Sequence, residues 1–142
     1  MQRPGFAAIL ESVALRCLIV DDNAGFLTAA RELLDRQGVD VVGLASTGSE
    51  ALERAHELRP DVALVDIDLG AESGFDVVRL IAATARLESL PVVLISSYAE
   101  KDFADLIAAS PAVGFVSKSD LSGRAITEVL GSMDGASESR GM

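Results

Sequence analysis

The chain has little aromatic or sulfur content: one cysteine, one tyrosine and no tryptophan in 142 residues, with aromatics at 4%. A single thiol, Cys17, excludes a disulfide within the chain, and its place inside the run Leu15–Val20 marks it as a buried core residue. With so few rings, the core has to be built from Val, Leu, Ile and Ala. Cations are scarce too: 12 Lys and Arg stand against 22 Asp and Glu, for a net charge of −10. A polyanion such as DNA is bound through clustered Lys and Arg, so direct nucleic-acid binding is not expected. No run approaches the ~20 apolar residues of a membrane span. The opening MQRPGFAAILES has too short an apolar patch for a secretory signal. The expectation is a cytoplasmic protein that does not contact a membrane.

Hydrophobic residues make up 49% of the chain and charged residues 24%, enough for a single domain with one core. Short apolar runs alternate with longer amphipathic stretches. The runs Leu15–Val20, Val39–Ala45, Val62–Val65, Val92–Ile95 and Val113–Val116 are rich in Val, Leu and Ile and nearly free of charge. Strands buried on both faces of a parallel sheet have this composition. Between them the spacing predicts a helix with Phe26, Ala30, Leu33 and Leu34 on one face, stopped near Gly38. Thr47-Gly-Ser-Glu50 has the form of a capping box opening a second helix, which Pro60 prevents from continuing. Further helices are predicted over 75–87, 100–109 and 121–130. Five β–α units in this order predict an α/β fold, an open parallel sheet with helices on both faces. Residues 1–13 form an N-terminal extension, and the small polar tail 132–142 is expected to be disordered.

Two adjacent acids, Asp21 and Asp22, close the first run, and Asp66 closes the third. Ligands of such sheets bind outside the carboxyl ends of the strands. If the runs lie side by side, three carboxylates converge there, and they repel one another unless a hard divalent cation such as Mg²⁺ sits among them. Helix capping explains one residue of the Asp21-Asp22-Asn23 group, with Asn23 the better cap, and leaves the second acid over. Asp66 alone would be an ordinary turn residue. Beside the pair it becomes a candidate nucleophile for an aspartyl phosphate. Ser96, closing the fourth run, can donate to a phosphoryl oxygen. Lys118, two residues past the fifth, can pair with the acid or the phosphate.

These segments resemble the receiver domain of bacterial two-component response regulators over residues 14–131: LIVDDN at 18–23, ALVDIDL at 63–69, Gly74 followed by FDVVRLI, VVLISSY at 92–98 and GFVSKSDL at 114–121. The resemblance implies a flavodoxin-like, doubly wound five-stranded sheet of order 2-1-3-4-5 with five helices. It implies that Asp66 is the phosphoacceptor, served by a sensor histidine kinase or a histidine phosphotransfer protein in trans. Mg²⁺ would be held by Asp21, Asp22, Asp66 and the backbone carbonyl of Asp68. Ser96 and Lys118 would contact the phosphoryl group, and Ser96 and Phe115 would switch a face that binds a downstream protein target or a second copy of the chain. Such a chain is not an enzyme in the ordinary sense; it assists its own phosphorylation and dephosphorylation. Asp68 and Tyr98 occupy positions that flank the path of hydrolytic water. His56, the one histidine, lies far along the second helix and is not a donor for Asp66.

The chain departs from the family in two places. Gly70 stands where a proline is usual, which predicts a looser loop, and Ser119 stands where a proline often follows the lysine, leaving the isomer of the Lys118–Ser119 bond open. Two other readings remain. Asp66-Ile-Asp68 also matches the DxD loop of haloacid-dehalogenase-type phosphatases, although that loop ordinarily ends the first strand. A receiver that binds partners without taking phosphate is the other.

Overall fold

The computed structural model describes residues 14–140, the side chains of 134–140 excepted. The expected N-terminal extension, residues 1–13, lies outside the described residues. Five parallel strands form the sheet: β1 (Arg16–Val20), β2 (Asp40–Ala45), β3 (Val62–Asp66), β4 (Val92–Ser96) and β5 (Gly114–Ser117). The alternation of runs predicts the parallel sheet, and the order β2-β1-β3-β4-β5 is the one the resemblance implies. The reversal of strand order falls between β1 and β3, and that is the edge on which the acids stand.

Five helices cover the sheet: α1 (Ala24–Arg36), α2 (Gly48–Leu58), α3 (Gly74–Ala83), α4 and α5 (Gly123–Arg140). In α4, a 3₁₀ turn over Glu100–Phe103 leads into an α-helix over Ala104–Ala109. Strand alternation divides the core in two. Cys17, Ile19, Val62, Leu64, Val93 and Ile95 face α1 and α5, against Leu27, Ala30, Leu34 and Ile126. Leu18, Val20, Ala63, Val65 and Leu94 face α2, α3 and α4, against Ala51, Ala55, Val77, Val78 and Ile81. Every residue of β3 is buried, which is why the run shows no polar alternation.

Helix boundaries follow local chemistry. Asn23 caps α1, its Oδ1 accepting from Phe26 N at 3.0 Å. Thr47 caps α2, its Oγ1 accepting from Glu50 N at 3.1 Å. The returning Glu50 carboxylate accepts from Ser46 N at 2.8 Å, one residue earlier than a capping box places it. That contact holds the Glu50 carboxyl below its usual range. α3 stops at Ala83, short of the expected Leu87: Thr84 is already extended (ψ 128°), and a turn at Arg86 (φ 75°) then returns Leu87 to the core. Of the tail 132–142, expected to be disordered, residues 141–142 lie outside the described residues, and the backbone over 132–140 continues the last helix to Arg140; no proline stands there to break a helix already nucleated.

Candidate functional site

Because Asn23 supplies the helix cap, both acids before it are free for other work. Asp21 is fully buried at the end of β1, with its N–H donating to Ala45 O at 2.9 Å. Its Oδ1 accepts from Asn23 N at 2.9 Å. Asp22 follows, exposed, and Asp66 closes β3 with 5% of its surface accessible. One carboxylate oxygen from each of Asp21, Asp22 and Asp66 falls within 4.8 Å of the others. Convergence on one pocket follows from the register, which sets Val20 beside Val65 and so brings the ends of β1 and β3 level.

Lys118 enters from the 3₁₀ turn after β5. Its Nζ donates to Asp66 Oδ2 at 2.8 Å and lies 2.6 Å from Asp21 Oδ2. The second contact is a short ion pair that neutralises the buried Asp21 Oδ2. The ring of Phe26 lies 4.3 Å from the ammonium and covers it. Burial, the largest single influence, works to lower the Lys118 ammonium, yet its two carboxylate partners together raise it above the ordinary value. Burial also pushes the Asp66 carboxyl up. The Lys118 and Asp68 N–H bonds oppose that shift, while the charge of Asp21 adds to it. A buried, electron-rich acid between a fixed cation and two further acids can attack an electrophile whose charge a metal shields.

Ser96 is buried, one residue past Ile95, which is the β4 partner of Asp66. Its Oγ accepts from Tyr98 N at 2.9 Å. The hydroxyl proton remains available for a ligand. Phe115 is half-buried beside Leu94 in register, on the sheet face that Ser96 shares by alternation. Asp68 N donates to Asp66 Oδ1 at 3.0 Å, while the exposed Asp68 side chain accepts from Gly70 N at 3.0 Å and so stays in its own turn. Tyr98 is 61% exposed, with its ring edge-on to Phe103. The described backbone contains no cis peptide bond, so Lys118–Ser119 is trans.

The loop after Asp66 is better ordered than the missing proline suggests. Asp68–Leu69 pairs antiparallel with Glu72–Ser73 across Gly70 and Ala71. Gly70 has φ 75°, which proline cannot adopt, and a Cβ there would stand 2.8 Å from Asp22 Oδ2. Glycine therefore lets the loop close over the exposed acid. Sequence reasoning also missed Glu72, whose Oε1 accepts from Gly48 N at 2.9 Å and ties this hairpin to the start of α2. Nothing in the local pattern signals a contact between residues so far apart. The role of Gly74 was equally hidden: any Cβ would overlap the carbonyl oxygen of Asp66. Phe26 lies on the apolar face that the spacing predicts, but its contact with Lys118 depends on a loop that only the fold places.

No helix among the described residues is long and apolar enough to cross a membrane. Residues 17–129 match the family model of the response regulator receiver domain. Over 108 residues the chain is 35% identical to the protein-glutamate methylesterase/protein-glutamine glutaminase of Archaeoglobus fulgidus, covering 75% of this chain and 30% of that protein. A putative transcriptional regulator of Pseudomonas aeruginosa is 36% identical over 107 residues, 72% of this chain and 49% of that one. The matches thus span half or less of these curated relatives. Among solved structures, the response regulator domain of Thermotoga maritima CheB superposes with a TM-score of 0.65 at 26% identity, over 92% of this chain and 98% of that one. A two-component response regulator of the LuxR family from Aurantimonas gives 0.68 at 26%, over 75% and 76%. A family match running from the first strand into the last helix decides the lineage: this chain belongs to the response regulator receiver domains.

Proposed function

We propose that Asp66 accepts a phosphoryl group from a phosphohistidine on a separate protein, a sensor histidine kinase or a histidine phosphotransfer protein, and that the modified chain then changes its affinity for a protein target. The carrying observation is Lys118 Nζ held against both Asp21 Oδ2 and Asp66 Oδ2 in a pocket where a third carboxylate stands close by. In the transfer an Asp66 oxygen forms a bond to phosphorus, the P–N bond breaks, and the leaving imidazole keeps the electron pair and takes a proton. Lys118 is placed to follow the negative charge from the carboxylate to the new phosphoryl oxygens. The hydroxyl proton of Ser96 is free to donate to one of them.

The donor set fits Mg²⁺: all-oxygen, with one carboxylate oxygen from each of three acids within reach of the others. Asp21, Asp22, Asp66 and the Asp68 carbonyl would hold it. When bound, the ion screens the acids and offsets charge on the transferred group. Phosphatase chemistry of the DxD kind is disfavoured, because Asp66 ends the third strand of the sheet and not the first.

Ser96 and Phe115 lie on one sheet face next to α4, so a Ser96–phosphoryl bond supports a shift at Phe115 and in the surface formed by α4, β5 and α5. That surface would bind the target or a second copy of the chain. Asp68 and the exposed Tyr98 flank the approach of water. Loss of either side chain should change the lifetime of the phosphoryl group, and unchanged half-lives in both Asp68→Ala and Tyr98→Ala would remove them from that role. The principal test is incubation with acetyl phosphate followed by intact mass measurement. Wild type should gain one phosphoryl group only with Mg²⁺ present, and Asp66→Asn none. Equal labelling of Asp66→Asn, or no labelling of wild type, would defeat the proposal.

A further inference from the structure

The acids gather where β1 and β3 end. At the opposite edge, where β3 and β4 begin, lies a cavity of about 310 Å³. Small-molecule pockets run from ~300 to 1,000 Å³. Its lining combines apolar Pro60, Leu87 and Leu90 with His56, Arg59 and Arg86. The chain has 12 Lys and Arg and one histidine against 22 acids, so this grouping runs against its overall charge. The acid in the lining, Asp61, already accepts from Arg16 N at 2.9 Å.

Cations near the end of α2 could be there for the helix dipole alone. The helix end, however, is completed by other groups. Arg59 N donates to Ala55 O at 3.0 Å, and Arg59 O accepts from the Arg16 guanidinium at 2.8 Å. Among the described residues, the guanidinium groups of Arg59 and Arg86 take part in none of the ion pairs, which join Arg54–Glu53, Arg79–Asp76, Arg124–Glu128 and Lys118 with its two acids.

Arg16, Arg31, Arg36 and Lys101 stand outside those ion pairs too, and it is backbone conformation that sets Arg59 and Arg86 apart. Arg59 has φ 49° and Arg86 φ 75°, the two positive-φ positions of the described chain not occupied by glycine. A left-handed residue costs less as Gly or Asn. Both sites hold arginine instead, and both border one cavity.

We propose that this cavity binds a small organic anion, with an apolar body against Pro60, Leu87 and Leu90 and a phosphate or carboxylate group held by Arg59 and Arg86. The two guanidinium groups outnumber the one acid of the lining, Asp61, and give this edge a local positive charge on an otherwise acidic chain. The site is independent of Asp66 chemistry.

His56 provides the probe, since its ring signals are those of the one histidine in the chain. The full chain is titrated by NMR with phenyl phosphate, phenylacetate, inorganic phosphate and benzyl alcohol. Saturating shifts of His56 and of the Leu87 methyls are expected with phenyl phosphate or phenylacetate, at least about tenfold tighter than with the last two probes. The stronger of the first two identifies the anionic group. Arg59→Gly and Arg86→Gly should each weaken that binding by about tenfold or more, the scale of a lost charge-assisted contact. The same variants should hold or raise the urea midpoint, because glycine relieves the positive φ. The proposal is overturned by no saturation, by an equal response to inorganic phosphate, by unchanged affinity in both variants, or by lost affinity that comes with a lower midpoint.

Discussion

The two halves of the sheet are built to different standards. In β3 every residue is buried, and the neighbouring β1 is buried from Cys17 to Val20. In β5 only Val116 is buried, α4 contributes no buried residue, and Leu106 is 55% exposed. Asp66 is therefore attached to the rigid half, while the elements expected to report on it belong to the loose half. Segments with few buried contacts open at low free energy, and a two-state device draws its moving part from them. Lys118 joins the halves, reaching from the end of β5 to carboxylates on β1 and β3.

The contrast can be broken most severely at Gly74. A Cβ there would overlap the Asp66 carbonyl, so Gly74→Ala should cost more than ~4 kcal/mol in urea unfolding and abolish labelling by acetyl phosphate. Retention of both would mean that the start of α3 is freer than its packing indicates. Cutting the link comes next. Lys118→Ala leaves the buried Asp21 carboxylate without its cation, which should destabilise the metal-free chain by ~3–5 kcal/mol. The loss should shrink on adding Mg²⁺, and an equal loss with and without the ion would speak against a shared site.

Within the halves themselves, Leu64→Ala in β3 should cost ~2–5 kcal/mol, the usual penalty for an emptied core site. Leu106→Ala in α4 should stay within ~0.5 kcal/mol. Similar urea midpoints for the two variants would erase the distinction. The smallest effect concerns Cys17 in β1, whose thiol burial pushes from an ordinary 9.0 up to about 12. A raised pKa favours the protonated form in the folded chain, so this contribution to stability is complete below pH 9.0 and is lost as pH climbs toward 12. The urea midpoint should fall less steeply over that interval in Cys17→Ala than in wild type. Iodoacetamide should modify Cys17 at pH 8 only after urea unfolds the rigid half.

Much of this was legible because it is local. Runs of Val, Leu and Ile ending in acids marked both the sheet and its acidic edge, and the expectation that Asn23 is the better cap is met by its bond from Phe26 N. What escaped depends on contacts between distant residues or on backbone angles. Glu72 reaches Gly48 across the sheet edge, and the hairpin at Gly70 closes where a missing proline suggested slack. The left-handed turns at Arg59 and Arg86 lie in a sequence with no glycine to flag them. The helical stretch beyond Leu130 continues a helix that had already formed, through residues whose own propensities are weak.

Magnesium linkage tests the shared acidic pocket most directly. Urea unfolding of wild type, with and without Mg²⁺ at ten times its dissociation constant, should show a gain of about 1.4 kcal/mol. Asp22→Ala should show little or none of that gain at the same concentration. An unchanged midpoint for wild type, or an equal gain in Asp22→Ala, would contradict the claim that Asp21, Asp22 and Asp66 act on one ion.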